Sequence, residues 1–122
     1  MDDMIFSSNT ISLSFHLDTG KFTLNWPLSA KWRGQEFVVP SGFETDLASI
    51  PRRLRSVVAQ VGRHMLPAIF HDAAYEGHFG DMTKAEADQM FLDGMEAVDV
   101  PWVRRKVMYA AVRVGGRGHW KE

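Results

Sequence analysis

The sequence contains no cysteine. That excludes a disulfide scaffold and thiolate metal sites, and it agrees with a reducing compartment. It also lacks an excess of either charge: the formal net charge is −1 over 122 residues. A chain so balanced carries no basic field, so no nucleic-acid partner is expected. No apolar run approaches the roughly 18 residues that a membrane-spanning helix needs. The opening residues MDDMIF have no positive region leading into an apolar stretch, so no classical secretory signal is expected. Internal repeats and low-complexity tracts are absent as well. What is present is an ordinary globular composition, 45% apolar and 24% charged. In one domain of this length that suffices to bury a core without staples.

The chain changes character near residue 46. Before it, apolar residues recur every second position: Ile11, Leu13, Phe15 and Leu17, then Phe22, Leu24 and Trp26, then Leu28, Ala30 and Trp32. Asp18 to Lys21 and Arg33-Gly34 have turn composition, and Pro40 closes a short strand at Glu36 to Val39. This predicts an antiparallel meander of three to five strands with one apolar face to cover. In that register His16 points away from the core while Phe15 and Leu17 point into it. After residue 46 the period becomes helical. Ser49, Ile50 and Pro51 resemble a capped helix start, followed by a stripe of Leu54, Val57, Val58 and Val61. A second helix covers about Pro67 to Tyr75. Thr83 and Glu86 form a capping-box pattern that opens a third, running to about Val98. A fourth begins near Pro101, with Val103, Val107, Ala110, Ala111 and Val114 as its stripe, and stops at Gly115-Gly116. The expected class is α+β: one domain, β-rich over 1–45, helical over 46–114, with a tail at 115–122. The sheet should be covered by the helices that carry Phe70 and Phe91, and all strands should precede residue 46.

Inside the second helix the apolar run Leu66 to Phe70 meets a charged doublet, His71-Asp72. His71 and Tyr75 are four apart on a helix and share a face, and Asp72 and Tyr75 are three apart. On the third helix Asp88 begins a stripe that is otherwise apolar, with Phe91, Leu92 and Met95. A carboxylate there is either exposed near the helix N-terminus, where the dipole favours it, or paired inside. Two helices joined by a short loop pack antiparallel, which would bring Asp88 toward His71. A carboxylate on one ring nitrogen would fix the tautomer of the imidazole. Residues 42–53, GFETDLASIPRR, add Thr45, Asp46 and Ser49 as oxygen donors at a strand-to-helix junction, with Arg52-Arg53 as charge. The plainer reading is that Asp46 or Ser49 caps the next helix. Arg105, Tyr109 and Arg113 share a face of the fourth helix and could bind an anion or pair with Asp72 or Asp88, or lie on the surface. His78, His119 and Trp120 read as loop and tail. No HxxxH or HExxH spacing exists, so zinc is the less expected metal.

HDAAY, a loop, and then AEADQMF resembles the core of secreted, calcium-dependent phospholipase A. It resembles more closely the cysteine-free version embedded in parvovirus capsid proteins. That resemblance covers residues 66 to 91. It implies His71 as the base that activates water, Asp88 as its orienting carboxylate, Tyr75 as a supporting hydrogen-bond donor and Asp72 as a calcium ligand. The family's glycine-rich calcium loop is missing here: Gly20, Gly34, Gly42 and Gly62 precede His71, with no GxG among them. Calcium takes six to eight oxygens, so the 42–53 segment, with Asp46 as a second ligand, is the candidate replacement. The wider order GF-TD-ASIPR, HD--Y, AD--F, RR--MY-AVR-GG is similar to a family of small proteins encoded in tailed bacteriophages and prophages. That similarity implies a phage setting, in the host cytoplasm or the virion, and brings no activity with it.

Two readings follow. In one, the protein is a virion, tail or assembly component that contacts other phage structural proteins, and the polar residues staple its helices to its sheet. In the other, it is a metal-assisted ester hydrolase with transient lipid contact at the host envelope. Thr45, Ser49, Arg105, Tyr109 and Arg113 would then bind substrate or support the site. The discriminating observation is whether His71 and Asp72 line an open cleft.

Overall fold

The computed structural model describes residues 3–7, 10–54 and 64–115. Six strands come first: β1 (Met4–Phe6), β2 (Leu13–His16), β3 (Lys21–Leu24), β4 (Leu28–Trp32), β5 (Gln35–Val39) and β6 (Glu44–Thr45). Residues 52–54 are helical. Three further helices follow, α1 (Met65–Tyr75), α2 (Lys84–Ala97) and α3 (Trp102–Gly115). The class is α+β, and every strand among the described residues precedes residue 46.

The strands divide into two antiparallel sheets of three, ordered β1-β4-β5 and β2-β3-β6. The first is the core sheet. Leu28, Ala30 and Trp32 on β4, and Phe37 and Val39 on β5, face inward at period two. Trp32 pairs directly with Gln35, across a two-residue turn in which Arg33 (φ 53°) and Gly34 (φ 75°) are both left-handed. Such a turn matches the strand twist, and the hairpin register follows from it. β1 pairs with the other side of β4, Met4 opposite Trp32. Met4-Ile5-Phe6 is too short an alternation to stand out in the sequence.

The helices cover this sheet as expected. Phe70 of α1 lies 5.4 Å from Phe6, ring to ring, and Phe79 bridges Phe70 and Phe37. α2 approaches β1 at Gly94. A Cβ there would lie 3.0 Å from Pro67 Cβ and 3.2 Å from both Met4 Sδ and Phe6 Cζ, so a larger residue would crowd the approach. Trp32 Nε1 donates to Asp93 Oδ2 at 2.8 Å, tying sheet to helix through a polar contact. Thr83 caps α2 with the expected box: its hydroxyl accepts from Glu86 N, and its own N–H donates to the Glu86 carboxylate. The Thr83 backbone N–H holds that carboxyl below its usual range.

Two expectations about facing are overturned. In the second sheet Phe15 and Leu17 are exposed, while His16 is half-buried and its Nε2 meets Thr23 Oγ1 at 2.7 Å. β2 is an edge strand, and Phe15 packs on Phe22 of its neighbour with ring centroids 4.9 Å apart. On α3 the buried residues are Met108 and Val112. Val103, Val107, Ala110 and Val114 are exposed and Ala111 is half-buried. Polar ties near the C-terminal end set that rotation, since Lys84 Nζ reaches the carbonyls of Val112 and Arg113. The stripe expected beyond Leu54, and the tail with His119 and Trp120, lie outside the described residues.

Candidate functional site

Every residue of α1, from Met65 to Tyr75, is buried. A helix apolar on all sides belongs in a core, and His71-Asp72 is the polar interruption in this one. Adjacent helical positions project in different directions, so the two side chains reach different elements. His71 turns toward α2 and Asp72 toward the segment after β6.

His71 Nε2 lies 2.7 Å from Asp88 Oδ1. Tyr75 Oη donates to the same oxygen at 2.7 Å. The other oxygen, Asp88 Oδ2, accepts from Lys84 Nζ at 2.8 Å and from Arg113 at 3.0 Å. The carboxylate is thus fully occupied. Burial alone would raise the Asp88 pKa. The bonds from His71, Lys84 and Tyr75 outweigh it and hold the group below its usual range. Burial, with the bond to Asp88, pushes the Tyr75 hydroxyl well up, so it stays a donor.

Asp72 is held differently. Its Oδ2 accepts from the Thr45 hydroxyl, and its Oδ1 accepts from Ser49 N at 3.1 Å. Leu47 makes this possible. It is buried and left-handed (φ 63°), a conformation that costs a side-chain-bearing residue about 1–2 kcal/mol. Its N–H donates to Thr45 Oγ1 at 2.9 Å, and its carbonyl accepts from Ile50 N at 2.9 Å. The reversal lets Thr45 and Ser49 address one carboxylate. Ser49 also closes the circuit: its Oγ lies 2.9 Å from His71 Nδ1. Ser49 therefore serves α1 and not, as a cap would, the helix that begins at Arg52.

The proton positions follow. An ionised carboxylate only accepts, so Nε2 of a neutral His71 carries the hydrogen and Nδ1 accepts from the Ser49 hydroxyl. Complete burial lowers the His71 pKa, against the opposing pull of Asp88 and Asp72. The ring packs between Tyr75, 4.4 Å away, and Phe91, 4.8 Å away. A folded-state pKa below the unfolded value of about 6.5 means that the native state binds fewer protons. The stability this contributes is complete above about pH 6.5 and is lost as pH falls toward the folded pKa. Asp88, also depressed, acts in the same direction below about pH 3.9. We expect the imidazole nitrogen NMR shifts of His71 to report a neutral Nε2–H ring at pH 6.5. A ring half-protonated or more at that pH would contradict the assignment.

The structure thus brings together Thr45, Ser49, His71, Asp72, Tyr75, Asp88 and Arg113. It leaves three expected residues out. Asp46 is exposed and accepts from Ala48 N within its own turn, because the alternation of β6 continues past its end, with Thr45 and Leu47 inward and Asp46 outward. Arg105 donates to the Val100 carbonyl at 2.9 Å and to Glu96 at 3.4 Å, bracing the α2–α3 connection. Tyr109 is half-buried on α3, and among the described residues it has no hydrogen bond to the cluster. Lys84 is the member the sequence reading overlooked, although its spacing of four from Asp88 is an available signal.

The donors do not suit calcium. Among the described residues no group of three His, Cys, Asp or Glu side chains could hold a metal ion. Asp72 has both oxygens engaged by protein donors and Asp46 faces away, against a demand for six to eight oxygens.

Residues 22–112 match the model of a family described as "Protein of unknown function (DUF1353)". The chain belongs to the DUF1353 family. The DUF1353 match takes in Thr45, Ser49, His71, Asp72, Tyr75, Lys84 and Asp88, and it leaves β1, β2 and Arg113 outside. No curated protein and no solved structure matches the chain.

Proposed function

We propose that this DUF1353 protein is a non-enzymatic component of a tailed bacteriophage, acting in the virion or its assembly in the host cytoplasm alongside other phage structural proteins. The resemblance of the motif order to that of phage and prophage proteins supports the setting. One observation carries the absence of catalysis: the His71 ring is 0% exposed, and the nitrogen that would face a water is bonded to Ser49. A general base must reach the proton it removes, directly or through one water. In this reading the network holds α1, α2, α3 and the β6 junction in a single packing. A second reading, the ester hydrolase, draws on the His71–Asp88–Tyr75 arrangement, which is that of a base held by a carboxylate. It requires the segment around Ser49 to open.

Purified protein tests both. We expect no hydrolysis of phospholipid vesicles or short-chain esters with or without calcium or zinc. We also expect an unchanged thermal midpoint in calcium, since a ligand that binds only the native state would raise it. Hydrolysis abolished by His71→Ala, in a variant that still folds, would establish the second reading. Mass spectrometry of purified particles of a phage carrying the gene tests the setting. Absence of the chain from particles and from assembly intermediates would refute the component role.

A further inference from the structure

α3 carries two apolar faces. Met108 and Val112 form the buried one. Opposite them, Val103, Val107, Ala110 and Val114 recur at steps of four, three and four, which places them on one side of the helix. Val103 is 65% exposed, Val107 57% and Val114 69%. β-branched side chains in that spacing resemble the seam of a helix–helix contact more than a solvated face. Beside the seam lies a depression of about 480 Å³ lined by Leu54, Pro101, Val103, Arg104, Val107 and Met108. Such a hollow accepts one large apolar anchor from a helix laid in a groove.

Charge narrows the partner. α3 contains no Asp or Glu, and it carries Arg104, Arg105, Lys106 and Arg113. Arg105 and Arg113 are engaged with Glu96 and Asp88. Arg104 and Lys106 are exposed, lie on opposite flanks of the seam by helical rotation, and have no ion pair among the described residues. Both flanks of the apolar strip are therefore basic. A second copy of α3 would set like charges against like, which is unfavourable. A bilayer would suit the charge but not the seam, because interfacial helices anchor through Trp, Phe and Leu. Here only Trp102, at one end and off the seam, is of that kind.

We propose that the Val103–Val107–Ala110–Val114 face of α3 docks an amphipathic helix of another protein, with an aliphatic seam, one bulky anchor and acidic flanks. The proposal rests on the α3 surface alone and would hold even if the buried network proved catalytic.

Two synthetic helical peptides with the same leucine seam, one flanked by glutamates and one by lysines, test it by fluorescence anisotropy against the whole chain. The acidic peptide should bind at least about tenfold more tightly, and its binding should weaken as salt rises. Val107→Asp should reduce that binding about tenfold or more, with the helical circular dichroism unchanged. Arg104→Glu, a surface change that cannot disturb the core, leaves Lys106 as the one basic flank and should abolish the preference between the peptides even if Val107→Asp does not fold. Failure of both peptides, or equal binding insensitive to Arg104→Glu, would overturn the proposal. A dimer in light scattering that Val107→Asp dissolves would assign the face to a second copy. Binding to anionic vesicles in preference to the acidic peptide would assign it to lipid. Either result would overturn the proposal.

Discussion

Asp88→Asn should destabilise the fold by about 3 to 5 kcal/mol, the usual cost of removing one member of a buried charged pair. The substitution keeps the shape and removes the charge. An asparagine oxygen could still accept from His71 or Tyr75 on the Oδ1 side. Its amide nitrogen would then face Lys84 and Arg113, donor against donor, where Oδ2 now accepts from both. Flipping turns the amide nitrogen toward His71 Nε2 and the Tyr75 hydroxyl, which accept only if the imidazole moves its proton to Nδ1; one orientation therefore sets donor against Lys84 and Arg113, and the other imposes the opposite tautomer on His71. An exposed carboxylate near a helix start would lose only about 0.3 to 1 kcal/mol. Urea unfolding at neutral pH distinguishes the two: a midpoint lowered by several kcal/mol equivalents supports the buried network, and a change under about 1 kcal/mol refutes it. Tyr75→Phe is a useful control. It removes a single donor from Asp88 Oδ1, which still accepts from His71, so its effect should be the smaller of the two.

How much of this network is legible in the sequence differs from member to member. His71, Tyr75 and Asp88 can be read because helical spacing is rigid: four residues along α1 share a face, and a short loop brings the next helix back antiparallel. The capping box at Thr83 is legible for the same reason, being local. Ser49 was readable as a polar residue at a junction, but its partner was not. The direction of its hydroxyl depends on a left-handed leucine two residues earlier, and no propensity rule anticipates a left-handed leucine. Thr45 and Asp46 both read as oxygen donors at the junction, and only Thr45 joins the cluster; a one-residue difference in facing separates them, the error to which period-two reasoning is most exposed. The faces of β2 and α3 were misassigned for a different reason. Alternation and stripes say that apolar residues share a side. They do not say that the side is covered. On β2 the side is left open at a sheet edge, and on α3 two apolar sides compete and the one tied down by Lys84 wins. The pairing of β1 with β4 is long-range and short in length, so it leaves almost no local trace.

Phe70→Ala should have an effect of similar size, about 3 to 5 kcal/mol, by cavity formation. Phe70 is fully buried and stands where three parts of the chain meet. Phe6 on β1 is 5.4 Å away, Phe79 in the α1–α2 loop is 6.1 Å away, and α1 itself carries the ring. Truncating it leaves Phe6 and Phe79 without a common partner. The rigid hairpin and the glycine contact at Gly94 limit how far β1 can move inward to fill the space, so the cost should fall near the upper part of that range. Phe15→Ala provides the contrast. Phe15 is an aromatic of the same size on an exposed edge strand, in contact with Phe22, and its loss should cost no more than about 1 kcal/mol. If the first sheet and the helices share one core, Phe70→Ala should shift the whole unfolding transition. Trp32 fluorescence, read in a background with Trp26, Trp102 and Trp120 changed to phenylalanine so that it reports the sheet, and far-ultraviolet dichroism, which reports the helices, should then move together to the same new midpoint. Separated midpoints would mean that the sheet folds independently of the helices. The buried His71 network would then be holding helices to each other and to the β6 junction, but not to the β1-β4-β5 sheet.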